Sequence, residues 1–123
     1  MAHDYNVADI TADGGGEGST TGNTLIYKMP STKSNGVAKL KRLIIDNATG
    51  ANGRLLFDFD SDDTSTAMGS VADLAVEVGA NETVFLTEND FGEIYITSGV
   101  VAQASNGATS NGYKVRIEVD VLP

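Results

Sequence analysis

The chain predicts an all-β domain, an antiparallel β-sandwich or jelly roll of about seven or eight strands with an extended N-terminal arm. Strict alternation is the first reason. Tyr113 to Val121 reads Tyr-Lys-Val-Arg-Ile-Glu-Val-Asp-Val, which puts the ring and the β-branched residues on one face and Lys114, Arg116, Glu118 and Asp120 on the other, as in a half-buried strand. Composition is the second: the 41% hydrophobic content includes four Phe and four Tyr but no Trp, and Val, Ile, Leu and Ala make up most of the rest, a mixture suited to pleated surfaces. The third is punctuation, since Gly, Asn, Ser and Thr recur between short apolar alternations and no segment carries a convincing amphipathic helical period.

Residues 1–23 contain Gly14, Gly15, Gly16, Gly18 and Gly22 amid Asp, Ser and Thr, with Tyr5, Val7 and Ile10 as apolar anchors. Such a stretch reads as a flexible arm ordered by what it lies against, and residues 24–123 as the sandwich domain. Leu25, Tyr27 and Met29 alternate as a first strand up to Pro30. In Ala38 to Asn47 the inward set shifts phase between Leu40 and Leu43, the signature of a β-bulge. The Asn- and Gly-rich run from Asn47 to Gly53 suits a turn, and Leu55, Phe57 and Phe59 follow on one face with Arg54, Leu56 and Asp58 on the other; the two segments are expected to form a hairpin. Asp60 to Ser70 reads as a polar loop. Leu74-Val76-Val78, Val84-Leu86 with Phe85 opposed, Ile94-Ile96 and Gly99 to Ala104 are the remaining strands before the last one closes the sheet.

At 123 residues the chain holds one core. It lacks cysteine, so disulfides, thiolate metal sites and a Cys nucleophile are all unavailable. No run approaches ~18 consecutive apolar residues, and the start lacks the basic and apolar regions of a signal peptide, so a soluble protein without a membrane partner is expected. Seventeen acidic residues against eight basic ones give a net charge of −9, a field that repels phosphate backbones and argues against direct nucleic-acid binding.

Candidate chemistry is sparse. Asp58, Asp60, Asp62 and Asp63 crowd oxygen ligands onto a turning chain, the kind of set that holds a hard cation. The pattern is not an EF-hand, because counting from Asp58 puts Asp63 and Gly69 where the loop needs glycine and glutamate; a solvated acidic loop is the favoured reading, and no metal or cofactor is expected. His3 is the only histidine, and nothing in the sequence fixes it against a nucleophile. Glu88 with Asp90, or Glu82 with Glu88, has the residue types of a glycosidase pair, yet acidic residues are so common that nothing selects either. Catalysis is therefore not expected. Tyr5, Val7, Ile10, Leu25 and Tyr27 are candidate interface residues, because an isolated arm cannot bury them. Strand addition to a neighbouring subunit and folding back over the chain's own domain both satisfy them.

From Leu40 onward the motifs run Ile-Ile-Asp-Asn-Ala-Thr-Gly-Ala, Leu-Phe-Asp-Phe-Asp, Val-Glu-Val-Gly-Ala-Asn-Glu-Thr-Val-Phe-Leu and Tyr-Lys-Val-Arg-Ile-Glu-Val. Over about two-thirds of the chain this cadence of strands and turns resembles small β-sandwich structural proteins of tailed viruses of bacteria and archaea, including head decoration, or cement, proteins. The resemblance implies a non-enzymatic virion protein, made soluble in the host cytoplasm, that binds the major capsid protein or other virion proteins on the capsid surface as a homo-oligomer, a trimer foremost. A carbohydrate-binding or adhesion module is the alternative, and it calls for an exposed aromatic platform. A small hydrolase would have only carboxylate chemistry to work with.

Overall fold

A computed structural model describes residues 2–11, 23–30, 36–66, 68–104 and 111–122. Nine strands and two single-turn helices follow in the order β1 (Ala2–Thr11), β2 (Thr24–Lys28), β3 (Ala38–Asn47), β4 (Gly53–Phe59), α1 (Met68–Val71), β5 (Leu74–Val78), β6 (Thr83–Thr87), α2 (Glu88–Phe91), β7 (Tyr95–Ile96), β8 (Gly99–Ala104) and β9 (Asn111–Val121). One sheet has the order β1-β9-β3-β6, with β7 also on β3, and the other β2-β8-β4-β5. Every pairing is antiparallel.

The order has a simple origin. First strand pairs with last (β1 with β9), β2 with β8, β3 with β6 and β7 acting as one interrupted strand, and β4 with β5. The chain is thus a long antiparallel ribbon folded at the β4–β5 connection and rolled so that β9 also meets β3 and β8 also meets β4. That is a jelly roll, the sandwich that two Greek keys produce.

The inner faces meet as the alternation requires. Leu40, Leu43, Ile45, Tyr113, Val115, Ile117 and Val119 from one sheet bury against Ile26, Leu55, Phe57, Val100, Ala102 and Ala104 from the other. Phe57 is fully buried and lies 6.2 Å from the Phe59 ring, nearly parallel to it. Ile94 packs half-buried at the core's margin, with Ile96 inside. The expected bulge is present, as the β3–β9 register slips between Leu40 and Arg42.

Two expectations change. Asn47 to Gly53 does not close a hairpin: β3 and β4 belong to opposite sheets, and the segment is the corner where the chain crosses between them. Both strands present apolar side chains to the same core, so alternation cannot tell a hairpin from a crossover. Asn47 holds the corner with a fully buried side chain whose amide donates to the carbonyls of Ala51, Val78 and Gly79, while its oxygen accepts from the Thr49 amide and hydroxyl. The second change concerns the arm. Ala2–Thr11 is paired along β9 as the edge strand of the five-stranded sheet, and Ile10 is 1% exposed inside the core. The fold-back alternative describes this stretch; residues 12–22 lie outside the described ones.

The sheets differ outside. Leu56 and Val101, on the outer face of the β2-β8-β4-β5 sheet, are covered by Met68 of α1, with Leu25, Val71 and Ala72 packed around them. No described element covers the outer face of the β1-β9-β3-β6 sheet.

Gly99, where β8 begins, is a close-approach position: a Cβ there would sit 2.5 Å from the Tyr27 carbonyl oxygen and 3.1 Å from that of Ser61. Backbone oxygens cannot step aside as a side chain would. Gly99→Ala should therefore lower stability by ~1–3 kcal/mol, whereas Gly50→Ala, with nothing within 4 Å, should stay within about 0.5 kcal/mol of the parent. Urea denaturation of the two variants measures the contrast, and equal midpoints would contradict this packing.

Candidate interaction surface

The outer face of the β1-β9-β3-β6 sheet is built from four transverse rows set by strand register. They run His3–Asp120–Lys39–Tyr95, Tyr5–Glu118–Arg42–Thr87, Val7–Arg116–Ile44–Phe85 and Asp9–Lys114–Asp46–Thr83. Among the described residues the exposed large apolar side chains are Tyr5 (54%), Val7 (44%), Phe85 (65%) and Tyr95 (47%), and all four stand on this face. The third row is the most apolar. Its one charge, Arg116, lies 4.2 Å from the centroid of the Tyr5 ring, a cation–π contact, and donates to Glu118 at 2.9 Å.

Around that stripe the charges alternate in sign. Lys114 lies 3.6 Å from Asp9, Lys41 2.8 Å from Glu88, and Lys39 3.4 Å from Glu93. The Lys41 hydrogen bond leads in holding Glu88 below the usual carboxylate range, with Lys39 adding to it. His3 is exposed on β1, and its ring nitrogens lie 3.3 Å from Glu118 and 3.5 Å from Asp120.

The five candidate interface residues divide. Tyr5 and Val7 project from β1. Ile10 and Tyr27 are core residues, and Tyr27 donates its hydroxyl to Asp4 at 3.1 Å, tying β2 to β1. Burial first, and then the Asp4 charge, pushes the Tyr27 phenol up to about 12. Leu25 packs beside the Leu56–Met68–Val101 cluster. Phe85 and Tyr95 were missed as contact residues; the outward position of Phe85 in β6 was readable from alternation, but its meeting with β1 on one face was not.

The acidic run does not converge. Asp58 lies beside Asp73, and burial followed by that neighbouring charge raises its pKa. Asp60, at φ 59°, accepts from the amides of Thr97 (2.7 Å) and Ser98 (3.0 Å), clamping the β7–β8 turn. Asp63 accepts from Ser65 and Thr66 of its own loop, and Asp62 is exposed. Among the described residues no three of His, Asp and Glu gather where one ion would touch them all. The carboxylates nominated for hydrolysis are also in structural use. Asp90 accepts from the Thr87 amide in a capping box on α2, Glu88 pairs with two lysines, and Glu82 accepts from the Gly79 amide. Thr87-Glu88-Asn89-Asp90 carries the capping signature in the sequence itself.

No protein-family model matches the chain, and no curated protein does. Solved structures do. A chain from Bacillus endospore appendages, described as disulfide-linked pili, is similar at TM-score 0.51 and 13% identity, covering 99% of this chain and 88% of that one. The crystal structure of PirA follows at 0.48 and 17%, covering 92% and 93%. A chain of the cyanophage Pam1 capsid stands at 0.42 and 13%, covering 99% and 84%. At 13% identity the first likeness is one of fold alone, and the lower scores add nothing to it.

Two outcomes follow from the acidic loop. Burial raises the Asp60 pKa, but the Thr97 and Ser98 hydrogen bonds outweigh it, so the folded carboxyl lies below the ordinary aspartate value. A carboxyl depressed in the folded state stabilises the fold above its unfolded pKa, and that contribution is lost as pH falls through the folded value. Asp60→Asn should lower Tm at neutral pH and flatten its fall below about pH 4. Asp58, raised in the folded state, has the opposite sign, so Asp58→Asn should steepen that fall; identical acid profiles for both variants would contradict the assignment. Separately, Ca²⁺ or EDTA should leave Tm unchanged, because binding at a hundred times Kd would add ~2.7 kcal/mol and shift it visibly.

Proposed function

We propose that this chain is a non-enzymatic structural protein of a virion, a decoration or cement protein that binds the outside of an assembled shell and strengthens contacts between capsomers. One observation carries the reading: all four exposed large apolar side chains among the described residues share the uncovered face of one sheet. A small protein presenting such a face works through contact. The jelly roll agrees, since viral capsid domains use it, although lectin domains and cupins share it and fold alone does not assign function. The likeness to an appendage pilus protein is a likeness to another assembling subunit. Disulfide linkage, the feature named for that appendage, is closed to a chain without cysteine.

The partners in this reading are other copies of the chain and a shell protein, the major capsid protein foremost. Acidity chooses the docking partner: with a net charge of −9, the chain meets a positively charged surface with the least repulsion and finds nucleic acid unfavourable. No described helix is long and apolar enough to cross a membrane.

A glycan-binding reading has one observation in its favour, namely that Tyr5, Phe85 and Tyr95 supply exposed rings on a single face. The strand order places β1 and β6 three spacings apart, about 14 Å, so Tyr5 and Phe85 do not form one continuous platform for a sugar ring.

The deciding experiment mixes the purified protein with undecorated shells assembled from the major capsid protein of the same virion. Saturable co-sedimentation, together with a higher disruption temperature of the decorated shells, is expected. Absence of binding, with recognition on a glycan array instead, would overturn the virion reading in favour of adhesion.

A further inference from the structure

We propose that the outer face of the β1-β9-β3-β6 sheet is a homotypic interface: a second copy of this chain seats on it about a twofold axis running parallel to the strands, between β9 and β3. This rests on the assembly reading above and names the occupant of that face.

Charge is the first argument. Lys39, Lys41, Arg42, Lys114 and Arg116 on this face oppose Asp9, Asp46, Glu88, Glu93, Glu118 and Asp120, so the face is close to neutral. The rest of the chain then holds three basic residues against eleven acidic ones, nearly the whole net charge of −9. By net charge, two copies meet with less repulsion through this face than through the remainder of the chain. The neutral surface is also where the exposed apolar side chains stand.

Register is the second argument. A twofold between β9 and β3 lays β9 over β3 of the second copy and β1 over its β6, each row facing itself reversed. Every residue then meets the counterpart of a residue from its own row. In-sheet partners are already matched in sign: Lys114 with Asp46, Glu118 with Arg42, Asp120 with Lys39. The same matches therefore recur between copies, and Val7 of one copy meets Phe85 of the other. Arg116 falls opposite Ile44, so no like charges stack on the axis. Such a self-complementary face is what an isologous interface requires.

Size is the third. Strands ~4.8 Å apart, with outward residues ~6.6 Å apart along each, give the paired faces roughly 1,000–1,300 Å² of buried surface in total, enough to clear the ~1,000 Å² expected of a specific interface. Sheets packed face to face keep their strands within about 30° of each other, which preserves the row-on-row match near the axis.

The test is sedimentation velocity on the full chain over a concentration series. The parent should be a reversible dimer. Phe85→Asp, at a highly exposed position and so harmless to folding, should weaken dimerisation about tenfold or more, as losing an apolar anchor does. Lys114→Asp and Asp46→Lys, both at exposed positions, should each be impaired alone, yet an equimolar mixture should form a heterodimer, because only copy-to-copy contact between β9 and β3 restores opposite signs. Melting curves confirm that each variant is folded. A monomeric parent at the highest soluble concentration, or a Phe85→Asp variant that dimerises like the parent, would overturn the interface. A trimer would overturn the twofold, and a mixture that stays impaired would overturn the register. Shell co-sedimentation separates this from the broader reading: a monomer that decorates shells sinks the pairing alone, and a dimer that ignores shells sinks the virion role alone.

Discussion

The pairing of β9 along both of its edges is the constraint on which the remaining structure depends. Bonded to β1 on one side and β3 on the other, this strand joins the first and last segments of the chain to its middle and so turns a ribbon into a roll. Its inward residues Tyr113, Val115, Ile117 and Val119 are all buried, which places apolar surface from one strand against much of the opposite sheet. Tyr113 reaches so close to β4 that a Cβ on Gly53 would lie 2.0 Å from its hydroxyl oxygen, and glycine is required at that point of contact. Its outward residues set the charges of the exposed face. One alternating segment therefore specifies both the core and the surface.

A rolled ribbon has corners, and polar side chains hold two of them. Asn47 spends both ends of its amide on the crossover from β3 to β4, so that its full burial leaves neither end unsatisfied. Asp60 reaches from the end of β4 to the amides of Thr97 and Ser98 and holds the β7–β8 turn against it. Hydrogen bonds to a charged acceptor are stronger than neutral ones. Asp60, which the sequence offered as a candidate cation ligand, thus has a structural role in the fold.

What the fold leaves outside is asymmetric. The β2-β8-β4-β5 sheet is roofed by α1 and its neighbours, whereas the other sheet presents an apolar stripe among balanced charges. Segregating a large negative charge from one neutral, apolar face favours contact through that face over contact elsewhere. A sheet face of this kind spreads binding energy over many contacts, where a pocket concentrates it in a few.

The sequence alone determined what depends on neighbours along the chain. Alternation assigned the inward set of β9 and β4, the outward Phe85 and a bulge between Leu40 and Leu43, since a period of two residues reports which side chains share a face. The capping box at Thr87 and Asp90 was equally local and equally present in the sequence. Tertiary structure decided what depends on which strand lies beside which. A core-facing strand satisfies its apolar side with either sheet, so nothing in Leu55-Leu56-Phe57 told a hairpin with β3 from a crossover to the opposite sheet. Likewise the glycines of residues 1–23 conceal that Ala2–Thr11 is edge-paired, because the energy that orders β1 comes from β9, more than a hundred residues away. Tyr5, Val7, Phe85 and Tyr95 become one surface only once that pairing exists, and backbone hydrogen bonds between distant strands, rather than any local propensity, bring them together.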